Sequence, residues 1–334
     1  MRKGRLKFIN SFLLTSFLVG SGVLTSGASG SVAPTQRETL LRFTYTEYHM
    51  GIDARMVVYA PDRARAERAC TAAFKRIAEL DSIMSDYRPT SELMQLCAKS
   101  GGSAVPVSAD LFKVLRRAEE ISRKSNGAFD VTAGPLIGLW RKARKTGHLP
   151  EQAEIDLARR LVGYQMVKLS DADRSVKLAV SGMKLDLGGI AKGYAGDQAQ
   201  RVLKRHGIQR ALVELGGDIV VSGPPPGTKG WTIRVPNAGD DQGPADLLFA
   251  NQAISSSGDT EQFVVIGGVQ YSHVVDPRTG KALTQRVQST VIAKDGLTTD
   301  PLSTVLTVLD EAGRTRLTRA YPKVRTYLRV LNPS

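Results

Sequence analysis

The stretch DLGGIAKGYAGD, Asp186 to Asp197, leads an acidic residue into two adjacent glycines, Gly188 and Gly189, and then into a helical pattern through Ala195, Ala199, Val202 and Leu203. Glycines at a helix entry let backbone N–H groups approach a ligand closely. The free N–H groups and the helix dipole at that end favour an anion such as a phosphate. A plain turn into a helix looks the same, so the pattern leaves both readings open. It is neither GxGxxG nor a Walker loop, because the spacing and the Lys-Ser/Thr pair are wrong. Helical periodicities cluster before and around this stretch and strand patterns cluster after it. That distribution predicts an α+β fold with antiparallel sheets and packed helices, not a doubly wound parallel sheet.

Upstream, Leu41 to Tyr59 alternates and is rich in Thr, Tyr, Phe and Val, which reads as one long strand or a hairpin about Met50-Gly51. Pro61 opens a helix through Leu80, with Ala66, Cys70, Phe74, Ile77 and Leu80 at helical spacing. Ser91 starts a short helix, and Ser108 caps one that runs through Lys124. Gly127 to Trp140 holds too many Gly and Pro residues for a regular element, and Pro150 opens another helix to about Leu161. Downstream, Ala211 to Gly223 reads as strand, Gly-Gly bend, strand. Short strands follow at Trp231–Val235, Leu247–Ser255, Gln262–Ile266, Tyr271–Val275 and Ser289–Ala293. Helices from Pro301 to about Leu309 and from about Glu311 to Tyr321, with a strand near Arg325–Leu331, complete the pattern. No repeat of fixed period and no polar linker divides the chain.

Residues 1–33 read as a secretory signal: Arg2, Lys3, Arg5 and Lys7 precede an apolar run from Phe8 to Leu24, and small residues surround Ala28-Ser29-Gly30. The apolar part is short for a membrane span. A periplasmic or other extracytoplasmic location is expected, with residues 34–334 as one domain. In an oxidising compartment Cys70 and Cys97 could pair or remain buried thiols, and spacing does not decide which. The net charge is +14, with the basic residues dispersed, so solubility explains it best. An anionic ligand or a peripheral membrane association fits the same charge. No basic helix interleaved with aromatics and no zinc-finger spacing occurs, which argues against nucleic acid.

Asp300-Pro301 reads first as a helix start, Asp at the N-cap and Pro at the first helical position. Thr304 falls four residues on, on the same face. A carboxylate and a hydroxyl there suit a hard cation such as Mg²⁺, to which the turn at Gly188–Ala191 could add a backbone carbonyl. In YSHVVDPRTG, a strand reading puts Tyr271, His273 and Val275 on one face, and Asp276 to Gly280 is a good turn. His273 is either a structural hydrogen-bonder or a general base, since its proton can move near neutral pH. Tyr87 and Phe129 are core residues or walls for a planar ring, and Glu214 and Asp218 are bend residues flanking Gly216-Gly217. GxSxG, CxxC and HExxH are all absent, so serine hydrolase, thiol redox and zinc protease chemistry lack their signatures.

Taken in order, Met50-Gly51, DSIMSDYRPTSEL, GAFDVTAGPLIGLW, DLGGIAKGYAGD, VELGGDIVVSG, SSSGD, YSHVVDPRTG and TTDPLSTVL resemble the ApbE family, the FAD:protein FMN transferases. The resemblance implies an ApbE-like, T-fold-related architecture. It also implies an enzyme that binds FAD and Mg²⁺, cleaves the diphosphate, places FMN on a Ser or Thr hydroxyl of an exported acceptor protein and releases AMP. Carried over, Met50, Tyr87, Ala128, Phe129, Asp130, Asp186 and Lys192 are flavin-nucleotide contacts. Asp300 and Thr304 are metal ligands, with a backbone oxygen from Gly189 or Ala191, and His273 deprotonates the acceptor hydroxyl. Two departures concern Pro301 and Val305, which stand near the metal where smaller residues are usual. A third is the missing lipobox Cys, which puts membrane tethering in doubt but not the chemistry. The competing readings are a Mg²⁺-dependent FAD pyrophosphatase giving FMN and AMP, and a non-catalytic periplasmic flavin-binding protein.

Overall fold

A computed structural model describes residues 39–239, 243–258 and 263–331. The signal-like residues 1–33, Asp259 of SSSGD and Gln262 at the expected strand start lie outside the described residues.

The described residues open with a hairpin, one of the two readings the sequence allowed: β1 (Leu41–His49) and β2 (Ile52–Ala60), paired antiparallel. Met50 and Gly51 turn it, both at positive φ, as a two-residue turn matched to strand twist requires. Asp62 caps α1 (Arg63–Met84) through the Arg65 N–H, and Ser91 caps α2 (Glu92–Ala98). After β3 (Val105–Pro106), Ser108 caps α3 (Ala109–Lys124) as expected. The segment expected to be irregular is corrected here. A 3₁₀ turn at Val131–Ala133 passes into α4 (Gly134–Thr146), because Pro135 sits in the first turn, where no intrahelical N–H is needed. Next come α5 (Gln152–Arg159), β4 (Val167–Ser170), β5 (Ser175–Leu178) and α6 (Ala191–Arg205), the helix of the quoted stretch.

The second half is mostly strand: β6 (Ala211–Leu215), β7 (Asp218–Val221), β8 (Trp231–Val235), β9 (Ala245–Phe249) and β10 (Gln252–Ser257). The single strand expected over Leu247–Ser255 is broken where Asn251 takes φ +54°. Then follow β11 (Phe263–Ile266), β12 (Val269–Ser272), β13 (Val275–Asp276), β14 (Lys281–Ala282) and β15 (Arg286–Ala293). The YSHVV strand is likewise corrected: it stops at Ser272 and resumes at Val275, leaving His273 in the bend between. The chain ends with α7 (Gly296–Val308), α8 (Glu311–Arg319) and β16 (Arg325–Leu331).

Seven strands form one sheet, ordered β1-β2-β6-β7-β10-β15-β16 and antiparallel at every step, as the α+β reading requires. One face packs on α1, α6 and α7, burying Met56, Phe74, Ala195, Val213 and Leu302 among others. The β8–β9 hairpin covers part of the other face with Trp231, Ile233 and Phe249 against Val57, Leu212 and Ile292. A satellite cluster of Leu136, Trp140, Ile155, Val275 and Ala282 ties α4 and α5 to β13 and β14. Cys70 and Cys97 are both buried free thiols, and burial pushes the Cys70 thiol up to about 12.

The crossing of α6 and α7 positions everything that follows. The helices touch backbone to backbone at Gly193 and Gly296: a Cβ on Gly193 would stand 2.1 Å from the Gly296 carbonyl oxygen and 2.7 Å from the Asp300 Cβ. The obstructing atoms are backbone, so they cannot rotate away. Gly193→Ala is therefore expected to destabilise the fold by about 3 kcal/mol or more, read as a lower urea midpoint at unchanged slope. A midpoint within error of the parent would show that the crossing is looser than described.

Asp197 locks the same crossing. Its two carboxylate oxygens accept the N–H groups of Gly296 and Leu297, at 2.7 and 2.9 Å, so a side chain of α6 satisfies the free N–H groups that open α7. Burial raises its carboxyl from 3.8 to about 6, against the pull of the two N–H donors. Between those values the folded protein holds the proton more tightly than the unfolded chain. The contribution of Asp197 to stability is thus largest below pH 4 and is lost as pH rises through 6, by no more than about 3 kcal/mol. Asp197→Asn is expected to abolish that slope. Parallel stability–pH curves for the two proteins between pH 4 and 6 would refute it.

Candidate active site

α6 begins at one end of the large sheet. The Asp186 Oδ1 accepts the Gly188 N–H at 2.8 Å, which closes the turn before Gly189 and leaves Gly188 exposed. The register brings the β6–β7 turn alongside, with Leu215 opposite Asp218, and Asp218 opposite Ser255 of β10. The β1–β2 turn is adjacent, since Gly216 lies against Ile52 and Ala54 pairs with Leu215. Met50 therefore sits at the same end as the entry of α6.

α7 delivers Asp300 and Thr304 to this place. Sequence placed Asp300 at the N-cap, which the structure corrects. α7 starts at Gly296 behind Asp295, so Asp300 lies within the helix and Pro301 is interior. The two oxygen-bearing side chains still share a face, one turn apart. The Asp300 Oδ2 accepts the Gly193 N–H at 2.9 Å, which fixes it over the first turn of α6. Thr304 comes against the glycine turn: a Cβ on Gly189 would lie 3.3 Å from Thr304 Oγ1 and 3.5 Å from the Phe129 ring. Ser257 Oγ is 3.3 Å from Thr304 Oγ1 and accepts from Ser303 Oγ at 3.1 Å. Asp300 is buried while Thr304, Ser257 and Gly189 are only half-buried, so the cluster opens to solvent on one side.

Lys192 pairs with Asp218, which sequence had read as a bend residue. Asp218 and Asp300 both act on Lys192 and raise its ammonium against the effect of burial. Burial first, and then Asp218, push the Asp300 carboxyl up to about 7, with Lys192 opposing. With both carboxylates ionised, two around one ammonium would leave a negative charge in excess just below the surface, and the raised Asp300 carboxyl reflects that cost. Charge of that kind is costly unless a cation shares the site.

Among the described residues no group of three or more His, Cys, Asp or Glu could hold a metal. A cation here would rely on one carboxylate, hydroxyls, a backbone carbonyl and oxygens from water or ligand. That donor set suits Mg²⁺, which keeps waters and phosphate oxygens. Of the two backbone positions named from sequence, Gly189 lies against Thr304 and Ala191 opens α6 just beyond it.

The remaining candidates divide. Phe129 and Ala128 are buried, with Phe129 at the glycine turn. Both Asp130 oxygens are used internally, Oδ1 by the Thr132 N–H and hydroxyl and Oδ2 by the Tyr164 N–H, so its side chain shapes the loop. Tyr87 is 74% exposed, which excludes the core alternative for it. His273 is half-buried, in a bend that backbone bonds at Ser272 and Val274 to Leu283 hold in place. Trp140 anchors the following turn through Gly280 O at 2.9 Å. Sequence reasoning missed Arg141, which joins Asp86 and Asp186, and Asp197; only an ionic partner distant in sequence or a helix crossing could have marked them.

The same fold is found in flavin transferases. The flavin transferase ApbE of Vibrio cholerae superposes with a TM-score of 0.79 at 27% identity, over 88% of this chain and 96% of that one. The Pseudomonas stutzeri flavinyl transferase ApbE, in its apo form, gives 0.76 at 27% identity, over 88% and 92%. In sequence, the ApbE family model matches residues 50–328, and a FAD:protein FMN transferase of Klebsiella pneumoniae is 31% identical over 267 residues, 79% of this chain and 81% of its own length. The chain belongs to the ApbE family.

Proposed function

We propose that this protein is a Mg²⁺-dependent FAD:protein FMN transferase that acts on an exported acceptor protein. The observation that carries the reading is the meeting of Asp300 and Thr304 with the Gly188-Gly189 entry of α6, beside the Lys192–Asp218 ion pair. The transferase names of the relatives and the flavin transferase fold support the same class of enzyme.

Asp300, Thr304 and the Gly189 carbonyl would hold the cation. Bound there, it would supply charge neutralisation to the diphosphate oxygens and the leaving phosphate. The N-terminus of α6 favours an anion at the same spot. Met50, Phe129 and the exposed Tyr87 offer apolar surface to the rest of the nucleotide. His273 takes the proton from the acceptor hydroxyl, whose oxygen attacks the FMN phosphorus. A P–O bond to the acceptor forms, the bond to the AMP phosphate breaks, and AMP leaves. The Ser or Thr acceptor is what the family resemblance implies, and the exported location is the reading of the signal-like residues 1–33.

The test is mass spectrometry of a candidate acceptor incubated with the protein, FAD and Mg²⁺. An acceptor heavier by one FMN, with AMP formed in equal amount, is the expected result. Free FMN with unmodified acceptors would make the protein a pyrophosphatase, and neither product would make it a flavin carrier.

A further inference from the structure

Arg141 on α4 makes three contacts at once. Its guanidinium donates to Asp86, donates to the Asp186 Oδ2 at 2.7 Å, and lies 4.5 Å from the centre of the Tyr87 ring. Asp86 stands close enough to Asp186 to disfavour its charge: burial first, then Asp86, raise the Asp186 carboxyl, and Arg141 opposes the rise. One planar cation therefore bridges two carboxylates and covers one face of a tyrosine whose other face is open. An exposed tyrosine normally samples several rotamers, and ordering it costs binding energy when a ligand arrives. A guanidinium stacked on one face removes part of that cost beforehand. Beside it, Arg144 Nη1 is buried without a hydrogen-bond partner, a donor for which a ligand acceptor is the natural complement.

We infer that Arg141 is a positioning residue for the dinucleotide: it backs the Tyr87 ring and aims Asp186, so that a planar ring of FAD stacks on a platform already in place. The inference rests on the reading above that Tyr87 and Asp186 touch FAD. It adds how they are held, through a residue that no motif of the chain singled out. Lys cannot reproduce this role. It keeps the charge but has neither the fork that spans two carboxylates nor the flat face that covers a ring.

The experiment measures binding and turnover of FAD for the full chain and for Arg141→Lys, Tyr87→Leu, Asp186→Asn and the Arg141→Lys/Tyr87→Leu double variant. Arg141→Lys is expected to keep its melting temperature near that of the parent. It should weaken FAD binding about tenfold and raise KM by a similar factor, with a much smaller change in kcat. The double variant should lose less than the sum of the two single variants, because part of the Arg141 effect acts through that ring and only the part through Asp186 remains. ADP and FMN as separate ligands tell which ring stacks: a loss confined to ADP assigns adenine, and one confined to FMN assigns the flavin. If Tyr87→Leu and Asp186→Asn weaken FAD binding but Arg141→Lys does not, the inference fails while the nucleotide reading stands. If all three variants bind FAD like the parent, the nucleotide reading fails and takes the inference with it. A purely structural Arg141 would lower the melting temperature and leave KM unmoved.

Discussion

Asp300→Asn is expected to lower FMN transfer by on the order of 10³-fold or more, with the protein still folded. The amide oxygen can still accept the Gly193 N–H, so the crossing of α6 and α7 keeps its contact. The neutral group also removes the repulsion with Asp218, leaving Lys192 and Asp218 as a balanced pair. The melting temperature without Mg²⁺ should accordingly be no lower than that of the parent, so stability and activity move apart. Fold loss would lower both together. Transfer rates at limiting and saturating Mg²⁺, beside a melting curve in EDTA, provide the check. Parental transfer at limiting Mg²⁺ would remove Asp300 from the metal site.

The second large effect is at His273. Replacing it by Ala is expected to slow transfer to the acceptor by about 10² to 10⁴-fold, the range for loss of a positioned general base. FAD binding should be nearly unchanged, because the residues assigned to the nucleotide and the cation lie on α6 and the turn before it, on α7, in the β1–β2 turn and in the loops about Phe129 and Tyr87. The observable is therefore a fall in kcat at saturating FAD, with the equilibrium affinity for FAD retained. Transfer at the parental rate would show that another group, or solvent, accepts the proton.

These two residues illustrate what was legible in the chain. Asp300 and Thr304 were readable as a pair because helical spacing puts residues four apart on one face wherever the helix starts. Its start was misread because Asp-Pro is a strong local signal for an N-terminus. The competing start at Asp295-Gly296 wins because α7 is buried along nearly its whole length, and packing outweighs the hydrogen bond that Pro301 cannot make. His273 was expected on a continuous strand, since Tyr-Ser-His-Val-Val has strand composition. The bonds from Leu283 cut that strand into two short pieces, and a partner strand is not visible in local composition.

Tertiary structure alone could show the pairings of Lys192 with Asp218, Arg141 with Asp86 and Asp186, and Asp197 with the start of α7. Each joins residues 26 or more positions apart, and no periodicity encodes such a separation. By itself the sequence determined the class of fold, the strand composition on either side of Met50-Gly51, the serine caps of α2 and α3, and the residue types from which a phosphate and cation site could be made. Those follow from backbone preference and hydrophobic period, which act over a few residues. Where the charges meet, which carboxylate is left short of a counter-ion, and which arginine holds the exposed tyrosine were decided by the packing of α4, α6 and α7. Electrostatic energy depends on distances through space, and only the folded chain sets those distances.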